Sequence, residues 1–325
     1  MYEGYFNFSG LPFQLTPDPR FFFGSSGHSR AIAHLVYGLA QEEGFIIITG
    51  EVGAGKTTLV EQLWSQLDRD SYVVGKIATT QVGGDDLLRL VLASFGLREP
   101  PPNKATLLRM FQDLVREQRS LGRRCLLVID EVQNLHFRAL EELRMLSNIT
   151  VNGRSPMQTI LLGQPQFRRM LASPDLEQLR QRVLASYHLG PLSEPETRAY
   201  IEHRLKTVGW AGNPQWEDAA FVAVYRHTGG IPRRVNTLCS RVLLYCALEE
   251  MSSVTQQAID LTAGELQHDL VGPAQPPPRP QAQEGDSAIT NLAGRLQRLE
   301  NNAARQERIF RRLLELLSTH LEPHR

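Results

Sequence analysis

Apolar residues in this 325-residue chain fall into two kinds of pattern. Four short runs, at residues 45–49, 72–78, 125–129 and 158–162, are apolar almost without alternation, as in FIIIT and CLLVI. Strands buried on both faces read this way, because neither face has to meet water. Between the runs, apolar positions recur every three to four residues, the spacing of helices with one buried stripe. Strands alternating with helices over residues 1–192 predict a parallel sheet with helices on both faces.

Beyond residue 192 the short apolar runs stop. SEPE, residues 193–196, is a capping box with Ser193 as N-cap and Glu196 reaching back, and it opens a helix to about residue 206. Helical patterns follow at 217–227, 232–249 and 255–267, the second with Pro232 in its first turn. Residues 193–270 therefore predict a small all-helical domain. Residues 271–286, VGPAQPPPRPQAQEGD, are too rich in proline to build a core and predict an extended linker. In residues 287–325, Ile289, Leu292, Leu296, Leu299, Ala303, Gln306, Phe310, Leu313 and Leu317 recur in alternating steps of three and four. That seam fits a coiled coil; an amphipathic helix docked on the chain's own core would show the same stripe.

Composition narrows the setting. A hydrophobic fraction of 42% and a charged fraction of 22% are ordinary for a globular protein. Lys and Arg total 35, as do Asp and Glu, so no global field draws the chain to nucleic acid or to an anionic membrane. The most apolar runs fall far short of the ~18 residues of a spanning helix. The start, MYEGYFNFSG, lacks the basic opening and apolar core of a secretory leader. Cys125, Cys239 and Cys246 lie inside apolar patterns without metal or redox spacing, and are expected to be reduced core residues of a cytoplasmic protein.

Two segments carry chemistry. GEVGAGKT, residues 50–57, meets G-x-x-x-x-G-K-[ST] at every defined position, leaving one apolar strand and entering the helical pattern KTTLVEQLWSQL. Its backbone, from Gly50 through Glu51, Val52, Gly53, Ala54 and Gly55, can wrap phosphates with consecutive N–H groups at a helix N-terminus. Lys56 is expected to neutralise the outer phosphates and the Thr57 hydroxyl to ligate Mg²⁺, with Thr58 beside it; ATP and Mg²⁺ are the expected ligands. LLVIDEVQNL, residues 126–135, runs a second apolar strand into two acids. Asp130 is placed to hold the metal, usually through water, and Glu131 to orient and partly deprotonate a water attacking the γ-phosphoryl group.

Charge on a transferring phosphoryl group also calls for cations. Arg180 and Arg182 in LRQRV, and Arg233 and Arg234 in GGIPRRVN, are candidates. Gln164, just after the strand TILLG, is a further polar group delivered by a strand end.

Phosphate loop, Asp-Glu strand, polar strand end, arginine pair and helical region with GxPR occur in the order of the AAA+ ATPases. LPFQLTPDPRFFF, GEVGAGKTT, IDEVQNL, LEELRMLSN, LLGQPQFRRML and TGGIPRRVN resemble the general secretion pathway protein A type. YGLAQEEGFIIITGE, GDDLLRLV and LEQLRQRVLASYHL are most similar to the ATPases associated with exosortase (PEP-CTERM) systems. The resemblance covers roughly residues 1–267. It implies Gln164 in the first sensor position, Arg182 as an arginine acting on a neighbouring subunit's site, and Arg233 as the second sensor. It also implies that the HSRAIAHL helix packs near the adenine, with His28 in a structural role rather than as a contact.

The function implied is Mg·ATP hydrolysis at subunit interfaces of a homo-oligomer, energising or regulating a cell-envelope assembly such as exopolysaccharide export or exosortase-associated protein sorting. The coiled coil would bind an inner-membrane or envelope partner or fix the oligomer, leaving the protein cytoplasmic or peripheral through partners. Members named for the secretion pathway often add a membrane segment and a peptidoglycan-binding domain, and neither pattern occurs here. A DNA-handling ATPase of the initiator or transposition-accessory kind shares the plan. Against it, the linker follows directly where a basic DNA module would stand, and Glu300, Glu307 and Glu315 interleave with the arginines of the last segment, which speaks against nucleic acid. A scaffold that binds ATP with negligible turnover is the third reading, opposed by Glu131.

Overall fold

The computed structural model describes residues 2–271, apart from 17, 69, 79–83, 98–102, 151–152, 154 and 156. The linker expected from residue 271 onward, beyond its first residue, and the coiled-coil seam lie outside the described residues. The chain divides into two compact units. One holds residues 15–203 and 228–235, the other residues 1–14, 204–227 and the chain from Asn236 on.

The first unit is built on five parallel strands in the order β2-β3-β4-β1-β5: β1 (Phe45–Gly50), β2 (Tyr72–Ile77), β3 (Arg124–Ile129), β4 (Met157–Gly163) and β5 (Val183–Leu189). β1 and β4 are buried at every residue, which is why their sequences do not alternate. Each still points successive side chains to opposite faces. Phe45 and Ile47 join Leu127, Ile129, Leu161, Phe111, Leu143 and Phe167 in one core layer. Ile46 and Ile48 join Leu126, Val128, Ile160, Leu162, Leu35 and Leu59 in the other. Helices Ser26–Ala40 and Lys56–Gln66 cover the second layer, and Gly84–Ser94, Lys104–Ser120, Phe137–Ser147 and Pro165–Leu171 the first. The parallel sheet with helices on both faces is as the apolar pattern predicts.

β5 was not among the four runs. It is an edge strand with only Ala185 and Leu189 buried, and its exposed Ser186 and His188 break the apolar run. Its partner β1 supplies the order: Ile46 to Gly50 pair with Ala185 to Leu189 after a register shift at Phe45. The capping box forms as expected. The Glu196 carboxylate accepts from the Ser193 N–H (3.0 Å) and hydroxyl (2.9 Å), and its other oxygen accepts from the Ser26 N–H at 2.8 Å.

The second unit is mainly helical, with Asp218–Thr228, Pro232–Leu248 and Gln256–Val271 contributing buried Phe221, Val224, Leu238, Val242, Leu243 and Ile259. It also contains a two-residue parallel pair, β6 (Gln215–Trp216) with β7 (Ser253–Val254), too short to leave a periodic signal. The N-terminal segment belongs to this unit: Tyr2, Phe6 and Phe8 are buried, and the Arg204 guanidinium donates to the Pro12 and Gln14 carbonyls. Cys239 and Cys246 are buried here and Cys125 in β3, all three as core residues with free thiols. Among the described residues, no helix is long and apolar enough to cross a membrane.

Candidate active site

The phosphate-loop segment turns between buried β1 and the helix Lys56–Gln66. Gly53 (φ 82°) and Gly55 (φ 95°) adopt left-handed conformations that side chains rarely accept. Two further approaches need these glycines. A Cβ on Gly53 would lie 2.3 Å from the Cβ of Arg233, and one on Gly55 would lie 3.0 Å from Nε2 of His28. Lys56 is buried, and its Nζ donates to the Gly50 carbonyl (2.9 Å) and the Glu51 carbonyl (3.0 Å). Burial lowers its pKa, while the charges of Glu131, Asp130 and Glu51 oppose that shift. A lysine held among carboxylates under a loop of N–H groups is suited to an anionic ligand that replaces the carbonyls.

Strand β3 ends beside this loop although β4 lies between β3 and β1 in the sheet. The Thr57 hydroxyl donates to Asp130 Oδ2 at 2.6 Å across 73 positions of sequence. These two oxygens suit Mg²⁺, which is commonly held by one or two protein oxygens with the rest of its shell from phosphate and water. Among the described residues, no cluster of three or more His, Cys, Asp or Glu offers a larger metal cage.

Glu131 stands in a left-handed conformation, φ 51° and ψ 39°, which costs a non-glycine residue about 1 kcal/mol. Its N–H turns back to Asp130 Oδ1 at 2.8 Å. Its carboxylate accepts from the side-chain amides of Gln164 (2.8 Å) and Gln133. Gln133 also accepts the Gln164 backbone N–H at 2.9 Å. Gln164, placed just after β4, thus contacts Glu131, a partner its sequence position did not name. Gln133 lay inside the quoted motif IDEVQNL without a role, and nothing local marks it, because its second partner is 31 positions away.

The arginines separate into two groups. Arg233 begins the helix Pro232–Leu248, and its N–H donates to the Gly53 carbonyl at 3.2 Å, seating that helix start on the loop; its side chain and that of Arg234 are exposed. Arg182 lies at the opposite end of the sheet. Its carbonyl accepts from Phe45 N–H at the start of β1, roughly 16 Å along the strand from the loop at 3.3 Å per residue. The half-buried Arg182 guanidinium donates to the carbonyl and hydroxyl of Ser147 (3.3 and 3.4 Å) and lines a polar cleft with Arg144, Glu177, Gln178 and Gln181. Arg180 is exposed and donates to the Leu171 and Ala172 carbonyls at 3.4 Å. From the start of β1, Arg182 cannot reach the loop of its own chain.

Two histidines flank the loop. His28 is buried, with Nδ1 2.7 Å from the Ser25 hydroxyl; burial lowers its pKa, partly offset by Glu196. His188 on β5 has Nδ1 3.1 Å from the Thr49 hydroxyl, and its pKa is lowered by burial and then by Arg168.

The order and topology of these parts have counterparts. Residues 39–171 match the family model of an AAA domain. The structure is similar to the ORC2 protein of Aeropyrum pernix in its ADP form (TM-score 0.59, 16% identity, 79% of this chain and 73% of that one). It is also similar to the RuvB Holliday junction branch migration motor of Thermotoga maritima (TM-score 0.51, 18% identity, 76% of this chain and 70% of that one).

The chain has the AAA+ fold.

In sequence, the chain is 36% identical over 270 residues to general secretion pathway protein A of Aeromonas hydrophila. The match takes in 82% of this chain and 48% of the relative, so the chain spans about half the length of that curated protein. In an AAA+ frame the phosphate loop, Asp130, Glu131 and Gln164 form one cluster, with Arg182 at the far end of the sheet.

Proposed function

We propose that this chain is an Mg·ATP-hydrolysing AAA+ ATPase working as a homo-oligomer to energise or regulate a cell-envelope export or sorting assembly, of the exopolysaccharide or exosortase-associated kind. The observation that carries the hydrolytic part is the Thr57–Asp130 contact with Glu131 beside it at the phosphate loop. The envelope setting is supported by the similarity to general secretion pathway protein A. The likeness to origin-recognition and branch-migration proteins is one of fold at low identity and does not favour a DNA substrate.

In this reading Lys56 exchanges its two carbonyl acceptors for the β- and γ-phosphate oxygens, with the loop N–H groups from Gly50 to Thr58 around them. Thr57 and Asp130 would hold Mg²⁺, which would neutralise charge on the phosphates. Glu131 takes a proton from a water whose oxygen attacks the γ-phosphorus; the bond to the β-phosphate oxygen breaks and ADP leaves with its electrons. Gln164 contacts the γ-phosphate and Arg233 the nucleotide in the same subunit. Arg182 serves the neighbour's site, since its own phosphate loop is out of reach. The C-terminal segment 287–325 engages the envelope partner.

Steady-state phosphate release tests the assignment. Glu131→Gln should lower turnover at least about 100-fold while ATP still binds, and Lys56→Ala should abolish binding. Turnover unchanged in Glu131→Gln would remove Glu131 from the reaction, whereas a wild-type protein that binds ATP and releases no phosphate would be an ATP-binding scaffold. Thr57→Ala should lose affinity only when Mg²⁺ is present. Subunits carrying Arg182→Ala mixed with subunits carrying Glu131→Gln should recover part of the activity, and no recovery at any ratio would count against Arg182. A pull-down with the Glu131→Gln protein in ATP would identify the partner.

A further inference from the structure

Gln133 ties together the tips of two strands that the chain supplies separately. It sits in the short 3-10 turn Val132–Asn134 that follows β3 and has Glu131 as its N-cap. Its Oε1 accepts the backbone N–H of Gln164, the residue that follows β4 and is the N-cap of the helix Pro165–Leu171. A backbone N–H can only donate, so the oxygen of the carboxamide must face it and the NH₂ must face Glu131. The orientation of this amide is therefore dictated by its partners. The Gln164 side-chain NH₂ meets the same Oε2 of Glu131. One carboxylate oxygen thus takes hydrogen bonds from two amides, and those amides are joined to each other through Gln164's backbone.

We propose that Gln133 is a positioning residue for hydrolysis: it holds the Glu131 carboxylate at the height of the β4 tip and couples it to any movement of Gln164. The inference rests on the ATPase reading above. A glutamate has three rotatable side-chain bonds, and here it rises from a left-handed backbone at φ 51°. Left alone, its carboxylate would sample rotamers that point away from the water it must deprotonate, and a base has to sit within hydrogen-bond reach of that proton. Gln133 makes no bond and takes no proton in the reaction. It acts through Glu131 by restricting the carboxylate, and through Gln164 by making contact at the γ-phosphate felt at the acid.

Gln133→Met preserves length and removes both hydrogen bonds. It should lower kcat on the order of tenfold with nucleotide affinity, read by titration of a fluorescent ATP analogue, changed by less than about twofold. Gln133→Glu keeps an acceptor for Gln164 and sets an oxygen against Glu131, so it should lower kcat further. In single turnover, adding Gln133→Met to Glu131→Gln should change the residual rate by less than about twofold, because the carboxylate it positions is gone. If Glu131→Gln abolishes turnover but Gln133→Met and Gln133→Glu keep wild-type kcat, the positioning role is refuted and the ATPase reading survives. If Gln133→Met lowers kcat equally in both backgrounds, or only together with Tm and affinity, the residue is structural and the proposal also fails. A wild-type protein that binds ATP and never releases phosphate overturns both.

Discussion

Replacing Gly53 by alanine tests whether the start of the helix Pro232–Leu248 is fitted to the phosphate loop. The residue has φ 82°, and an added Cβ would lie 2.3 Å from the Cβ and 3.1 Å from the Cδ of Arg233. Because the nearest atom is a Cβ next to the main chain, rotating a side chain does not relieve the clash. Either the loop or the helix start must withdraw, and the Arg233 N–H to Gly53 carbonyl bond (3.2 Å) goes with it. The left-handed backbone costs alanine about 1 kcal/mol, and overpacking with loss of one hydrogen bond adds about 1–3 kcal/mol. Gly229 supplies the control: its φ is 60°, yet nothing lies within 4 Å of its added Cβ, so Gly229→Ala carries the backbone cost alone. Thermal unfolding should show Gly53→Ala less stable than Gly229→Ala by about 1–3 kcal/mol, several degrees in Tm for a domain of this size. A fluorescent ATP analogue should bind Gly53→Ala weakly and Gly229→Ala almost as wild type. Equal stability and equal affinity of the two variants would refute the fitted contact.

The Glu196 carboxyl has its pKa held down to about 2 from 4.5, chiefly by the Ser193 N–H, with the Ser26 N–H and the Ser193 hydroxyl also contributing. A depressed carboxyl pKa means stabilisation present above 4.5 and lost as pH falls toward 2. Glu196→Gln should therefore unfold more easily than wild type near neutral pH by about 1 kcal/mol, after allowing for solvent screening, and the gap in denaturant midpoints should close on acidification; a constant gap would contradict the charge-based account. Burial raises the thiol pKa of Cys125 to about 12 and of Cys246 to about 11, and raises that of Cys239 as well. A thiol reagent near neutral pH should leave all three unmodified in the folded protein and label all three in denaturant; fast labelling of any one without denaturant would show that its shell opens.

Much of the site is local and was legible for that reason. The phosphate loop needs glycines at set offsets between a strand and a helix, so GEVGAGKT announces itself in eight residues. The acids at the end of CLLVID are similarly marked, since an all-apolar run must be a buried strand and its first polar residues stand at the sheet's rim. The capping box at Ser193 needs only four residues. β5 left no such mark, because its sequence, VLASYHL, mixes apolar and polar positions, whereas the other edge strand, β2, is still marked by the run YVVGKI. Gln133 was equally mute: a glutamine two places after an acid has no meaning until Gln164 is brought to it.

Short-range chemistry in the chain is enough to specify the parallel α/β architecture, the anion-binding loop and the two acids, because periodicity, capping and turn glycines act over a few residues. Which strand lies beside which is a different matter. The order β2-β3-β4-β1-β5 sends the phosphate loop across the tip of β4 to meet β3, and puts Arg182 at the far end of β1 while the N–H of Arg233 seats on Gly53. Those relations join residues up to 180 positions apart, and they arise from burying two core layers on one sheet, which no local pattern encodes.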